Sequence, residues 1–178
     1  AIEKLEGEVY ESLFEELIYH LVKSMERDHA LEIILEKIEA LDNTHGSDAM
    51  YLLEKAYSIF APDTNTDIKL EILHTIISNT LLKGDLREND NLLEEYIQLA
   101  DEINSTYHIL CYIRFKAEIF NLRGNEELFL EQIEKIKRIN ADEGLVEFDV
   151  YCFAALASID INRGSYEQAE NNLKSGLE

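Results

Sequence analysis

Three tripeptides at a fixed spacing constrain the fold of this 178-residue chain more than any other feature. They are Lys83-Gly84-Asp85, Arg123-Gly124-Asn125 and Arg163-Gly164-Ser165, and their glycines lie forty residues apart. In each tripeptide the cation complements the negative end of a finishing helix, and glycine adopts the left-handed conformation just past it. The Asp, Asn or Ser that follows is a preferred cap for a new helix. The repeat therefore predicts three helix-turn-helix hairpins. The spacing of a capping box from Asp85 to Glu88 and from Ser165 to Gln168 supports two of them.

Apolar residues recur at helical spacing along almost the whole chain. In the last segment Tyr166, Ala169, Leu173 and Leu177 form one stripe, which predicts an amphipathic helix. The segment VEFDVY at 146–151 alternates like a strand, but we assign it to a helix because no turn signal separates it from the residues that follow. The chain is therefore predicted to be all-α. Nine helices are predicted, at residues 3–25, 29–42, 48–60, 67–83, 86–103, 107–123, 126–139, 146–163 and 166–177.

The composition agrees with helices and limits the partners. One proline and seven glycines are too few for the turns of a sandwich or barrel. The net charge of −21 argues against nucleic acid or an anionic membrane surface as the partner of this segment taken alone. No apolar stretch approaches the roughly 20 residues that span a bilayer, and the acidic N-terminus is unlike a secretory signal. We expect Cys111 and Cys152 to be small buried thiols in a reducing cytoplasm, the alternative being one long-range disulfide.

The last hairpin carries a spacing that belongs to a known helical repeat. The matching residues are Phe153, Leu156, Ala157, Gly164, Tyr166, Ala169 and Leu173. This pattern resembles the tetratricopeptide repeat, in which the first helix of a pair packs large, medium and small residues against the second. The resemblance implies an α-solenoid, a right-handed superhelix of antiparallel helix pairs. Residues 67–178 would form its repeats, and residues 1–62 an irregular repeat or a cap.

The other two units depart from that pattern. In the middle unit Lys116 and Phe129 stand where Leu and a small residue are expected, and in the first unit Asn89 replaces the small residue. The period of forty exceeds the usual 34 of the family and falls at the edge of the HEAT and armadillo range, which stay alternatives. The longer period predicts either longer helices or an extended loop between units.

In the family that the chain resembles, the first helix of each pair lines a concave groove for an extended peptide or a partner helix. Arg114 is of most interest, because a guanidinium in an acidic chain can fork a carboxylate or hold a peptide carbonyl. Its alternative is an internal ion pair with Glu118, four residues on. Asn121 and Asn162 can donate to and accept from a peptide backbone, or simply lie near a helix end. The groove positions implied by the resemblance are His74, Ser78, Arg114, Glu118, Asn121, Tyr151, Ser158 and Asn162.

The sequence lacks the residue patterns that are typical of catalytic, metal-binding and cofactor-binding sites. The five histidines are scattered without the spacing of a zinc site. Residues 63–67 resemble the start of a calcium-binding loop, but Ile68 stands where glycine is needed and His74 where a bidentate glutamate is needed. We expect an interhelical loop there instead, with Thr66 as the cap of the next helix. The chain has no nucleophile elbow, P-loop or dinucleotide fingerprint, so we expect neither enzymatic activity nor a cofactor.

These patterns favour a cytoplasmic adaptor or scaffold domain that binds a protein or peptide ligand. The alternative is the peptide-sensing regulatory domain of a larger bacterial transcriptional regulator, which a basic DNA-binding segment upstream would support. A third hypothesis is an enzyme whose site is built from scattered residues. Leu173 and Leu177 are expected to lie uncovered at the last helix, so either further repeats follow or two chains cover each other as a homodimer.

Overall fold

The computed structural model describes residues 57–58, 65–84 and 89–177. This part of the chain is all-helical, with no strand. Its helices are α1 (Thr66–Leu82), α2 (Asn89–Glu102), α3 (Thr106–Leu122), α4 (Glu126–Glu143), α5 (Val146–Asn162) and α6 (Tyr166–Ser175). The chain divides into two compact units, Ala1–Leu82 with α1 and Lys83–Glu178 with α2 to α6. Three predicted helices lie outside the described residues, at 3–25, 29–42 and 48–60, except for residues 57–58 of the third. The predicted domain boundary at 62–67 stays a prediction.

The forty-residue period is visible in the helices themselves. Helices α1, α3 and α5 each have 17 residues and begin at Thr66, Thr106 and Val146. The links between units are short, with three residues between α2 and α3 and two between α4 and α5. The forty-residue period exceeds the usual 34 of tetratricopeptide repeats because the helices are long. The alternative prediction of an extended loop between units is wrong for these two links.

The predicted left-handed glycines are confirmed. Gly84, which follows α1, has φ +70°, and Gly124 and Gly164 have φ +70° and +75°. Around Gly124 the amide of Asn125 donates to the carbonyl of Phe120 at 2.9 Å, and the amide of Gly124 donates to Asn121 at 2.9 Å. These two bonds define a Schellman motif, which satisfies the last carbonyls of α3. The same pair of bonds closes α5 around Gly164.

A second set of left-handed residues, not predicted from the sequence, joins the units. Asn104 has φ +52° between α2 and α3, and Gly144 has φ +65° between α4 and α5. These two residues are also forty apart, so the period covers both kinds of turn. Gly144 explains why α4 runs to Glu143, beyond the predicted end at 139: the left-handed residue, rather than the last apolar one, ends the helix.

The predicted caps have mixed outcomes. Asn125 caps α4 as predicted, since its side chain accepts from the amide of Leu128 at 3.2 Å. Ser165 holds the cap position of α6, but its side chain makes no capping bond, so the predicted capping box with Gln168 is wrong. Thr66 is the first residue of α1 rather than its cap, because Asn65 Oδ1 already accepts from the amide of Asp67 at 2.8 Å. The segment from Asp85 to Glu88 lies outside the described residues.

Within the second unit, α2 to α6 pack in succession, each against the next in the chain. The small residues implied by the family resemblance lie where helices approach: Ala157 is 1% exposed and Ala169 is 3% exposed. At the end of α6 a Cβ on Gly176 would lie 3.1 Å from the Cβ of Phe153, so α5 and α6 stay close along their length. The largest fully buried side chains of the unit are Tyr96, Phe115, Phe148 and Leu110.

Both cysteines are buried free thiols, as predicted, so the alternative of a disulfide is wrong. Burial raises the pKa of Cys152 to about 11 and also raises the pKa of Cys111. The expected exposure of the last apolar residues is also present, with Leu173 at 47% and Leu177 at 88%. None of the described helices is long and apolar enough to cross a membrane.

Candidate functional site

Side chains of α3 and α5, the first helices of two successive hairpins, meet around Arg114. The guanidinium carbon of Arg114 lies 6.0 Å from the ring centroid of Tyr151 on α5 and 5.4 Å from that of Phe115 on its own helix. Closer to the start of the same two helices, the rings of Tyr107 and Phe148 lie 5.7 Å apart in an edge-to-face arrangement. Aromatic faces attract a guanidinium through the ring quadrupole, so these contacts orient Arg114 without hydrogen bonds.

Arg114 has no protein counter-ion in the described residues. Its Nε is buried there without a hydrogen-bond partner, although the side chain as a whole is half-buried and so reaches solvent elsewhere. The ion pairs in the same part of the chain are Lys135–Glu131, Lys137–Glu134, Arg163–Glu126 and Lys174–Glu170. The internal pair with Glu118 is therefore not formed, and the guanidinium lies against the rings of Phe115 and Tyr151.

Glu118 lies one helical turn beyond Arg114 and is also half-buried. Burial raises its pKa above the usual range, and the nearby positive charge of Arg114 offsets this only in part. A carboxylate in a good ion pair shows the opposite shift. The structure therefore places a cation and a carboxyl group on one face, one turn apart, with neither satisfied by the other.

Tyr151 completes this face from α5. It is half-buried, and burial raises the pKa of its phenol, with Glu118 adding to the rise and Arg114 opposing it. The phenol is therefore neutral at physiological pH and can both donate and accept a hydrogen bond. We call Arg114, Glu118 and Tyr151 together the Arg114 site.

Next to the Arg114 site lies a layer that was not predicted from the sequence, formed by the buried Tyr96 and Cys111 and the half-buried His108. The Tyr96 hydroxyl lies 2.7 Å from Nδ1 of His108, and Tyr96 is fully buried. Burial, followed by the effect of Cys111, raises the pKa of Tyr96. Cys111 is buried in this layer, in agreement with the prediction of a buried thiol. The signal available in the sequence was the helical spacing of Tyr107, Cys111 and Arg114, which puts them on one stripe of α3.

Three of the remaining predicted groove residues lie exposed on the two helices that carry the Arg114 site. Asn121 on α3 is exposed, as are Ser158 and Asn162 on α5. His74 and Ser78 are half-buried on α1, which belongs to the other compact unit. Of the six predicted positions in the second unit, the structure thus brings Arg114, Glu118 and Tyr151 together.

The described ranges contain no group of three or more His, Cys, Asp or Glu side chains that could hold a metal ion. Three of the five histidines, at positions 20, 29 and 45, lie outside those ranges. Within the described residues, the Arg114 site is therefore the candidate functional site.

Comparison of the chain with protein-family models, with curated proteins and with solved structures gives no match in any of the three. The resemblance to tetratricopeptide repeats accordingly rests on the residues of the sequence and stays a prediction.

Proposed function

We propose that this chain is a non-enzymatic helical repeat domain, built as a tetratricopeptide-like α-solenoid, that binds a protein or peptide ligand at the Arg114 site. The observation that carries the proposal is that, among the described residues, Arg114 forms no ion pair and its Nε has no hydrogen-bond partner. The forty-residue period supports the solenoid, because repeated helix pairs stack into a surface lined by the first helix of each pair. As an adaptor or scaffold in the cytoplasm, such a domain works by binding alone.

An unsatisfied guanidinium is costly for a folded protein. A buried donor without an acceptor costs about 1–3 kcal/mol, and more when the group is charged. Arg114 Nε is such a donor among the described residues, and the aromatic contacts with Phe115 and Tyr151 supply no hydrogen-bond acceptor in its place. The rest of the side chain reaches solvent, so a ligand acceptor can form a charge-assisted hydrogen bond with its exposed part, which makes Arg114 an anchor.

The surroundings of the anchor suit an extended ligand. Asn121 is exposed on α3, and Ser158 and Asn162 are exposed on α5, so polar groups continue along the two helices that carry the Arg114 site. Amide and hydroxyl side chains donate to and accept from a peptide backbone irrespective of its sequence. We infer that Arg114 supplies the anchoring contact and these residues supply weaker contacts further along.

The reactive groups of this region are not activated for catalysis. A nucleophilic cysteine needs a lowered pKa, and burial raises the pKa of both Cys111 and Cys152. The phenols of Tyr107 and Tyr151 have raised pKa values as well, first because of burial. All four groups are protonated at neutral pH, which supports a binding role.

A displayed library of random dodecapeptides tests the proposal with the full chain as bait. We expect enriched peptides whose affinity, measured by fluorescence anisotropy, falls about tenfold or more in Arg114→Ala, since a hydrogen bond to a charged group contributes about 1.5–3 kcal/mol. Tyr151→Ala should also weaken binding, because it removes the ring that orients the guanidinium. Arg138→Ala, an exposed arginine on α4, is the matched control and should bind as the wild type does. Failure to enrich any peptide, or equal binding by Arg114→Ala, contradicts the proposed function.

A further inference from the structure

The last described helix pair, α5 and α6, exposes apolar residues on both of its helices. Val150 is 43% exposed and Ala154 is exposed on α5, while Leu173 is 47% and Leu177 88% exposed at α6. We call these four residues the end face. We propose that the end face is a second interaction surface, which binds an amphipathic helix of a partner protein that carries lysine or arginine beside its apolar stripe. This surface does not include Arg114 and goes beyond the proposed function.

Forty residues earlier, the equivalent places are covered by the next helix of the chain. Ile133 on α4 holds the place of Leu173 and is 0% exposed. The helix that lies against it is α5, whose Cys152 Sγ is 3.9 Å from the carbonyl oxygen of Ile133. On α3, Arg114 holds the place of Ala154 and lies against an aromatic ring of α5. The end face therefore continues an established interface, and no described helix covers it.

The contacts of α5 define the kind of element that fits this surface. α5 presents the ring of Phe148 to Tyr107 of α3 at 5.7 Å, and it presents the small thiol of Cys152 to α4. Phe148 and Cys152 are four residues apart and so lie on one face of α5. A helix with a large and a small apolar residue at this spacing can make the same contacts with the end face.

Two differences between the pairs make the end face more apolar than its covered equivalent. Arg114 and Lys137 of the α3–α4 pair are replaced by Ala154 and Leu177 in the α5–α6 pair. A partner helix thus buries more apolar area here than α5 does against the preceding pair, which strengthens binding. The cations of this interface are absent from the end face, so they have to come from the partner.

The charges around the end face are mainly negative. Residues 146–177 contain five acidic and two basic side chains. The ion pairs that already engage these two basic residues are Arg163–Glu126 and Lys174–Glu170. Glu147 on α5 and Glu167 on α6 are exposed and take part in no ion pair of the described residues. Lysine or arginine beside the apolar stripe of a partner helix complements these carboxylates.

A second copy of the chain and a further helix pair of the same kind are the competing occupants. Two copies would bring the same acidic surroundings together, and each chain carries a net charge of −21. A further helix like α5 would also add negative charge, since α5 contains three acidic residues and no basic one. Like charges across an interface oppose binding, so the charge favours a basic partner helix.

Two fluorescein-labelled peptides test the proposal with the full chain. Both have the 17-residue sequence of α5 with Cys152→Ala. The acidic peptide keeps the three acidic residues, and the basic peptide carries Glu147→Lys, Asp149→Lys and Asp160→Lys. We expect saturable binding of the basic peptide, measured by fluorescence anisotropy, and about tenfold weaker binding of the acidic peptide.

Variants of the chain locate the binding surface. Leu173→Gln and Leu177→Gln should each weaken binding of the basic peptide about fivefold or more, because each removes apolar area that the peptide buries. Both side chains are exposed, so these variants should fold as the wild type does, which circular dichroism checks. Leu122→Gln is the matched control, since Leu122 is 50% exposed on α3 outside the end face, and it should bind as the wild type does.

Four results overturn the proposal. Failure of the basic peptide to bind, or equal binding by both leucine variants and the wild type, removes the surface itself. Equal or tighter binding of the acidic peptide favours a further helix pair of the same kind. Self-association of the chain in sedimentation velocity that is lost in Leu173→Gln favours a second copy. Because Arg114 is not part of the end face, the proposed function stands in each of these cases and fails only by its own peptide-library experiment.

Discussion

At the scale of single residues, Arg114 and Glu118 show how packing overrides a local rule. A basic and an acidic residue four apart on a helix usually attract each other. Here the rings of Phe115 and Tyr151 hold the guanidinium, and Glu118 is left half-buried with a raised pKa. Two opposite charges on adjacent turns thus remain available to a third group.

The raised pKa of Glu118 predicts a dependence of stability on pH. The folded state binds the proton of Glu118 more tightly than the unfolded state, so its contribution is fully present below the ordinary pKa of 4.5. This contribution is lost as the pH rises through the raised pKa. Glu118→Gln has no proton to lose, so we expect its free energy of unfolding, measured by urea denaturation across this range, to increase relative to that of the wild type as the pH rises.

An oppositely perturbed carboxyl group provides the control for this experiment. A hydrogen bond from Lys135, together with its charge, lowers the pKa of Glu131. Glu131→Gln should therefore change relative stability with the opposite sign, with the wild type losing its advantage as the pH falls. The same slope in both variants would contradict the assignment of the shifts.

The left-handed glycines predict a second residue-scale effect. A Cβ at Gly164 would meet nothing within 4 Å, so any cost of a side chain there comes from φ +75° alone. We expect Gly164→Ala to lower the free energy of unfolding by about 1 kcal/mol. Gly164→Asn should cost less, because asparagine tolerates this conformation. Equal stability of wild type and Gly164→Ala in urea denaturation would rule out the left-handed turn.

The helical spacing and the family resemblance together predict which residues share the face of Arg114, but they do not predict its pairing. The positions of Arg114, Glu118 and Tyr151 follow from the order of the first helices. Whether Arg114 pairs with Glu118 depends on the rotamer that the guanidinium adopts against rings from another helix. No pattern within one helix contains that information, and the same holds for the contact of Tyr96 on α2 with His108 on α3.

At the scale of the helices, the links between units are held by specific hydrogen bonds. Asn140 near the end of α4 is 1% exposed. Its Nδ2 donates to the carbonyl of Leu145 at 2.9 Å and to Asp149 at 2.9 Å, and its Oδ1 accepts from the amide of Leu145 at 3.0 Å. One buried amide thus fixes the direction in which α5 leaves α4.

Loss of this amide should be costly. We expect Asn140→Ala to lower the free energy of unfolding by about 2 kcal/mol, because it removes three hydrogen bonds and takes away the acceptor of the Leu145 amide. Asp149→Ala removes one bond at an exposed side chain and should cost about 1 kcal/mol or less. Equal losses for the two variants in urea denaturation would contradict a specific role for Asn140.

Much of the helical pattern was predictable because glycine marks the helix ends. The observed bounds of α1, α3 and α5 differ from the predicted ones by at most one residue, since a glycine two residues beyond each helix ends it. The end of α4 was predicted too early because the apolar pattern fades before Gly144. The left-handed Asn104 was not predicted, because asparagine is common in many other conformations.

At the scale of the whole molecule, the net charge of −21 opposes compaction. Like charges repel across a folded chain, and salt screens that repulsion. We expect the midpoint of thermal unfolding to rise when sodium chloride is increased from about 10 mM to about 150 mM, the range over which the Debye length falls from about 30 to about 8 Å. The exposed ion pairs weaken at the same time, but each contributes only about 0–1 kcal/mol. An unchanged or lower midpoint, followed by circular dichroism, would contradict this expectation.

The left-handed residues Asn104 and Gly144 form equivalent joints between helix pairs, and this equivalence affects how the length of such a chain can change in evolution. A segment of forty residues that begins after one joint ends at the other, so both of its ends offer the same geometry. Duplication or deletion of that segment in the gene would preserve every joint and alter only how many are present. Longer and shorter proteins could therefore evolve by gain or loss of whole forty-residue segments, without a change in the conformation of the turns.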